Sequence, residues 1–93
     1  MIIGIRDWKV EDLLDNHGCP ANTIYSTTII VNNLCFYAQF SYFSCDICIF
    51  YNNRLVTIIP NKITDTVIAD KLIVETFQNN PILRYLVERN RKS

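Results

Sequence analysis

Two asparagine pairs, Asn32-Asn33 and Asn52-Asn53, constrain the fold of this chain more than any other feature. Asparagine tolerates the left-handed backbone that a tight two-residue hairpin turn requires at both central positions. Each pair is flanked by strand-length runs of Ile, Val, Phe, Tyr and Thr, so the middle of the chain reads as a β-meander. Between Asn16 and Pro60 the only formal charges are Asp46 and Arg54, so such a sheet must hide at least one face.

Pairing outward from Asn32-Asn33 aligns residues 25–31 with residues 34–40. Val31, Ile29, Thr27 and Tyr25 then share a face with Leu34, Phe36, Ala38 and Phe40, which reads as the core side. Ile30, Thr28, Ser26, Cys35, Tyr37 and Gln39 occupy the opposite, half-polar face. The second hairpin pairs residues 45–51 with residues 54–59 around Asn52-Asn53. Cys45, Ile47, Ile49, Tyr51, Val56 and Ile58 fall on one side, and Asp46, Cys48, Phe50, Leu55, Thr57 and Ile59 on the other. Core positions are even-numbered up to Phe40 and odd-numbered from Cys45. Strict alternation forbids one continuous strand from doing this, so a turn or bulge is expected within residues 41–44.

The flanking segments read as helical. Asp7 is placed to cap a short helix over residues 8–16, with Glu11 and Asp12 near its positive end, Val10, Leu13 and Leu14 on one face, Trp8 as an anchor and Gly18 as a stop. After Pro60 the period lengthens. Thr64 or Asp65 can cap a helix with Val67, Ile68, Ala69, Leu72, Ile73 and Phe77 in an apolar stripe, and with Asp70, Lys71, Glu75 and Gln78 facing outward. Asn80-Pro81 supplies an N-cap and first helical residue for a last helix bearing Ile82, Leu83, Leu86 and Val87. The expectation is an α+β fold: a short N-terminal helix, a four-stranded antiparallel β-meander, and two C-terminal helices packed on one sheet face.

Ninety-three residues predict a single compact domain over 1–93, with disorder confined to Arg91-Lys92-Ser93. Formal charge is zero overall, but residues 1–15 carry a net −2 and residues 61–93 a net +2, the excess coming from Arg89, Arg91 and Lys92. Without a basic face, counterion release supplies little affinity for a duplex, so nucleic acid is not the expected partner. The apolar start at Met1-Ile2-Ile3-Gly4-Ile5 meets Arg6-Asp7 at once, too early for a secretory signal or a membrane span. A cytoplasmic protein with four reduced cysteines is expected. Abundant Ile and Asn with few Ala and Gly hint at an AT-rich genome, as of a virus or mobile element, which would make the location host cytoplasm.

Three constellations bear on chemistry. Cys45-Asp46-Ile47-Cys48 has the CxxC spacing of zinc knuckles and dithiol sites, but in an extended strand residues three apart point to opposite faces. His17 and Cys19 could complete a four-ligand zinc set with those thiols, although HxC with a lone CxxC matches no zinc-ribbon spacing, and the glutamate of zinc deaminases is missing. His17 and Cys19 as a catalytic pair lack an orienting group and an oxyanion donor. His17 reads more simply as a helix-end residue. Asp65, Asp70 and Glu75 have no calcium-loop spacing, and no glycine-rich phosphate loop exists.

No catalytic residue, metal or cofactor is therefore expected. Core packing accounts for most of the aromatic residues, leaving Tyr37, Tyr42 and Phe43 for the surface, where rigid rings serve as interface anchors. The expected function is a non-catalytic protein–protein interaction module, of inhibitor, immunity or accessory-factor type and forming a homodimer. Its predicted surface comprises Tyr37, Tyr42, Phe43, Phe50 and Leu55. Alternatives are a single-stranded nucleic-acid or RNA-binding module using the sheet aromatics and the basic C-terminus, and a small Cys/His zinc-binding domain.

Overall fold

All four asparagines of the two pairs lie in the left-handed region, with φ of 50° and 67° at Asn32 and Asn33 and of 50° and 64° at Asn52 and Asn53. Positive φ at both central residues is the geometry that matches the right-handed twist of the flanking strands. The computed structural model describes the backbone of residues 2–91 and the side chains of residues 2–89. Around the turns run β3 (Pro20–Val31), β4 (Leu34–Ser41), β5 (Ile47–Tyr51) and β6 (Arg54–Ile59). The register of the first hairpin is the expected one, with Val31 opposite Leu34, Ile29 opposite Phe36, Thr27 opposite Ala38 and Tyr25 opposite Phe40.

Among the described residues the sheet has six strands rather than four. β1 (Ile3–Ile5) and β2 (Lys9–Leu14) lie end to end along the outer edge of β3, both antiparallel to it. The expected N-terminal helix over residues 8–16 is therefore absent, and most of that segment is β2. Val10, Leu13 and Leu14 have helical spacing, but they are 60%, 40% and 62% exposed, so no core rewards a helical stripe there. The twelve-residue β3 has backbone groups along a whole edge that need partners, and β2 supplies them. Gly18 (φ 80°) stops no helix but sits in the loop joining β2 to β3. In that loop Asp15 Oδ1 accepts the backbone N–H of His17 at 2.8 Å and of Cys19 at 3.0 Å.

The expected break near residue 42 is present. β4 ends at Ser41, whose N–H donates to the Ser44 carbonyl, and β5 begins only at Ile47. Cys45 lies before the strand rather than in it. Ala38 stands opposite Ile49, so both sets of core positions reach one side of the sheet.

The second hairpin departs from simple alternation. Phe50 faces Leu55, yet Ile49 faces Thr57, so a β-bulge leaves Val56 as an extra residue and reverses the parity of the end of β6. Ile59 is buried and Ile58 is 50% exposed, the opposite of the expectation from alternation. Thr57 turns toward the helices, where Asn80 Nδ2 lies 3.5 Å from its hydroxyl.

Two helices follow, α1 (Thr66–Asn79) and α2 (Pro81–Arg91). Asp65 caps α1 by accepting the Val67 N–H at 2.8 Å. Asn80 closes α1 by donating its N–H to Thr76, and its side chain caps α2 by accepting from Ile82 at 2.9 Å and Leu83 at 3.1 Å. Ala69, Ile73 and Phe77 of α1 with Leu83 and Val87 of α2 join Ile29, Val31, Phe36, Ala38, Phe40, Ile47, Ile49 and Ile59 in one core. Val67, expected in the apolar stripe, is exposed instead. The rings of Phe36 and Phe77 meet edge-on at 4.9 Å across the sheet–helix boundary, a geometry that adds about 1 kcal/mol beyond burial. The fold is α+β, with an antiparallel sheet and two C-terminal helices.

The molecule measures 52 × 22 × 20 Å. Residues 20–22 of β3 extend past Ile24, the last residue of β3 paired to β4, and past Thr23, and pair with β2, forming a protruding two-stranded arm. Of the expected tail disorder, Lys92 and Ser93 lie outside the described residues, while the backbone is helical through Arg91.

Candidate interaction surface

The strand registers lay out the sheet face turned away from the helices. One row across it is Thr28, Tyr37, Phe50 and Leu55, each opposite the next. The adjacent row is Lys9, Ser26, Gln39, Cys48 and Ile58, and the one beyond it is Glu11, Ile24 and Ser41. From β3 to β6 these positions carry no formal charge. Of the charges at this face, Lys9 and Glu11 sit on β2, Arg6 follows β1 and lines a pocket with Gly4 and Ile30, and Asp46 borders the face beside Cys48.

Tyr37, Phe50 and Leu55 of the expected surface converge on that first row. The Tyr37 and Phe50 rings lie 6.1 Å apart across β4 and β5. They line a shallow groove of about 600 Å³ with Thr28, Cys35, Phe36, Gln39, Asn52 and Asn53. Tyr42 and Phe43 form a second spot in the loop after β4, packed edge-on at 5.6 Å and exposed by 62% and 74%. Two hydrogen bonds hold this loop: Tyr42 donates its N–H to the Thr23 carbonyl at 2.8 Å, and Ser44 donates its N–H to Ser41 Oγ at 2.9 Å. The sheet separates the two spots by the C-terminal half of β4.

Two exposed residues of this face were missed from sequence. Ile58 joins it because of the bulge at Val56, which no local signal announces. Leu13 joins it through β2, where it stands opposite Asn22, and helical spacing concealed that.

The thiols and the lone histidine do not assemble. His17 and Cys19 lie in the loop at the tip of the arm, Cys45 lies in the loop before β5, and Cys48 lies on the open face of β5. Among the described residues no group of three or more His, Cys, Asp or Glu is arranged to hold a metal ion. Burial chiefly, and the nearby Asp46 carboxylate second, push the Cys48 thiol above the ordinary thiol range. Such a thiol is a poorer nucleophile near neutral pH than an unperturbed one. Among the described residues no helix is long and apolar enough to cross a membrane. No family model matches the chain, and searches of curated proteins and of solved structures give no match.

Proposed function

We propose that this chain is a non-catalytic protein–protein interaction module that works in the cytoplasm and engages its partner through the open sheet face. One observation carries the reading: Tyr37, Phe50, Leu55 and Ile58 form an apolar patch on β4, β5 and β6 with no formal charge among them. Large exposed apolar patches on otherwise polar surfaces mark binding sites, and rigid aromatic residues make effective anchors. Tyr42 and Phe43 extend the surface at the end of β4. The same face argues against stacking on single-stranded nucleic acid, since the cations at it, Lys9 and Arg6, are matched by Glu11 and Asp46 on or beside it. An inhibitor, immunity or accessory-factor role, encoded by an AT-rich viral or mobile genome, is the kind of task such a module serves.

The test is affinity capture from the source cell with three immobilised forms: wild type, Tyr37→Asp on the open face, and Ile82→Asp on exposed α2. The reading requires a protein retained by wild type and Ile82→Asp and lost by Tyr37→Asp. Equal retention by all three overturns it, as does tight, salt-dependent binding of a labelled oligonucleotide.

A further inference from the structure

The Thr28, Tyr37, Phe50 and Leu55 row of the open face has a cation at its outer end. The Arg6 N–H donates to the Thr28 carbonyl at 3.0 Å, which continues the register of Gly4 opposite Ile30 and puts Arg6 in that row. Side chains two apart on a strand share a face, so Arg6 lies on the open side with Gly4. Resting on the reading above, we infer that the partner presents an acidic and apolar segment to this row. Its carboxylate pairs with Arg6, and roughly two to four residues away along the extended segment an aromatic or aliphatic side chain seats against Tyr37 and Phe50.

The guanidinium is open to such a partner. Gly4 contributes no side chain to a hollow of about 380 Å³ that Arg6 lines with Ile30, Asn32 and Asn33. This hollow meets the Tyr37 and Phe50 groove where Ile30 stands opposite Cys35. No acidic side chain of this chain holds Arg6, since among the described residues the one ion pair is Arg84 with Glu88 at 3.8 Å. Lys9, on the adjacent row, adds to the positive potential there, whereas Glu11 lies two residues beyond Lys9 and Asp46 at the opposite border. A planar guanidinium takes a carboxylate bidentately.

Burial makes that carboxylate necessary. A stable interface takes about 800 Å² from each partner. At about 3.4 Å per residue and about 4.8 Å between strands, β4, β5 and β6 present roughly 300 Å² of flat sheet, and all six strands roughly 650 Å². A partner that holds Tyr37 and Phe50 stably therefore covers the width of the sheet, Arg6 included. Taking a cation out of water is costly unless an anion meets it. A neutral or basic segment would leave the guanidinium buried and unpaired, so charge complementarity selects an acidic one. Arg6 is about 12 Å from the middle of the Tyr37 and Phe50 pair, within reach of side chains that repeat every roughly 7 Å along one side of an extended segment.

Panning a random peptide library displayed on phage against the immobilised full chain tests this, with Arg6→Glu and Arg6→Gln as variants checked for folding by far-ultraviolet circular dichroism. The wild type should enrich peptides that carry Asp or Glu near an aromatic or aliphatic residue, and Arg6→Glu should enrich Lys or Arg in the acid's place. In fluorescence anisotropy the leading wild-type peptide should bind Arg6→Gln about five-fold more weakly, the worth of an exposed ion pair, and Tyr37→Asp more weakly still. No acid preference, or one that survives in Arg6→Glu, overturns the inference. The broader reading then stands if Tyr37→Asp still abolishes binding and falls if it does not. No enrichment over a blank surface overturns the inference and leaves the capture experiment to judge the broader reading. In sedimentation equilibrium, a dimer of twice 10.9 kDa that Tyr37→Asp dissociates gives the face to a second copy and likewise overturns it.

Discussion

The indole N–H of Trp8 donates to Asp70 Oδ1 at 2.7 Å, joining the link between β1 and β2 to the middle of α1 across 62 positions of sequence. The Trp8 ring also meets Phe40 edge-on at 5.2 Å. Asp70 was expected on a solvated helix face, and the tryptophan recruits it instead. This contact closes the apolar layer over Phe40 and Tyr25, whose rings stack at 4.8 Å.

Removing either partner should loosen that closure. Asp70→Ala is expected to cost about 1–2 kcal/mol, as a half-buried hydrogen bond to a charged group, and Trp8→Ala about 2–4 kcal/mol through lost packing. Urea denaturation of the two single variants and the double variant should return a coupling near 1 kcal/mol. Strictly additive losses would mean that the bond contributes nothing to stability.

The bulge at Val56 makes an unequal pair of neighbours. Ile59→Asp should destabilise by about 3 kcal/mol or more, since it buries a carboxylate in the core. Ile58→Asp, on the open face, should change stability by less than about 1 kcal/mol. Comparable losses at both positions, measured by thermal or urea unfolding, would contradict the reversed parity of β6.

At the turns, Asn33→Ala and Asn53→Ala should each cost about 1–2 kcal/mol, because a Cβ without a local polar partner is unfavourable at positive φ. Asn33→Gly and Asn53→Gly should leave the denaturation midpoint near wild type, glycine being at ease there. The alanine and glycine variants must separate in the same experiment for the left-handed geometry to be the reason for the asparagines.

Cys48 sets a pH dependence. Its thiol pKa is raised in the folded chain, so the fold holds that proton longer than the unfolded chain does. The associated stability is present below the unfolded thiol pKa and is lost as pH rises through the folded value. Between about pH 8 and about pH 10 the urea midpoint should fall more for wild type than for Cys48→Ala. Asp46→Asn should reduce the difference only in part, because burial is the larger cause. In timed alkylation followed by mass spectrometry, Cys48 should react more slowly than exposed Cys19 and Cys35.

What the sequence determined by itself was local and periodic. Asn32-Asn33 and Asn52-Asn53 specify two turns, and alternation away from the first specifies every pair from Val31–Leu34 to Tyr25–Phe40, because side-chain direction in a strand repeats every two residues. Asp65 and Asn80-Pro81 mark helix starts through caps that act within one turn of the backbone. Tertiary structure decided what local rules leave open. Residues 9–14 became a strand because the long edge of β3 needed hydrogen-bond partners, which outweighed a helical spacing of Val10, Leu13 and Leu14 that had no core to meet. Val56 bulged so that Ile59 could be buried, at the cost of regular alternation. Tyr37, Phe50 and Leu55 came together because three strands aligned them, while Tyr42 and Phe43 stayed apart because the chain turns after Ser41. Long-range pairing and core volume make those choices, and neither is written in any short stretch of the chain.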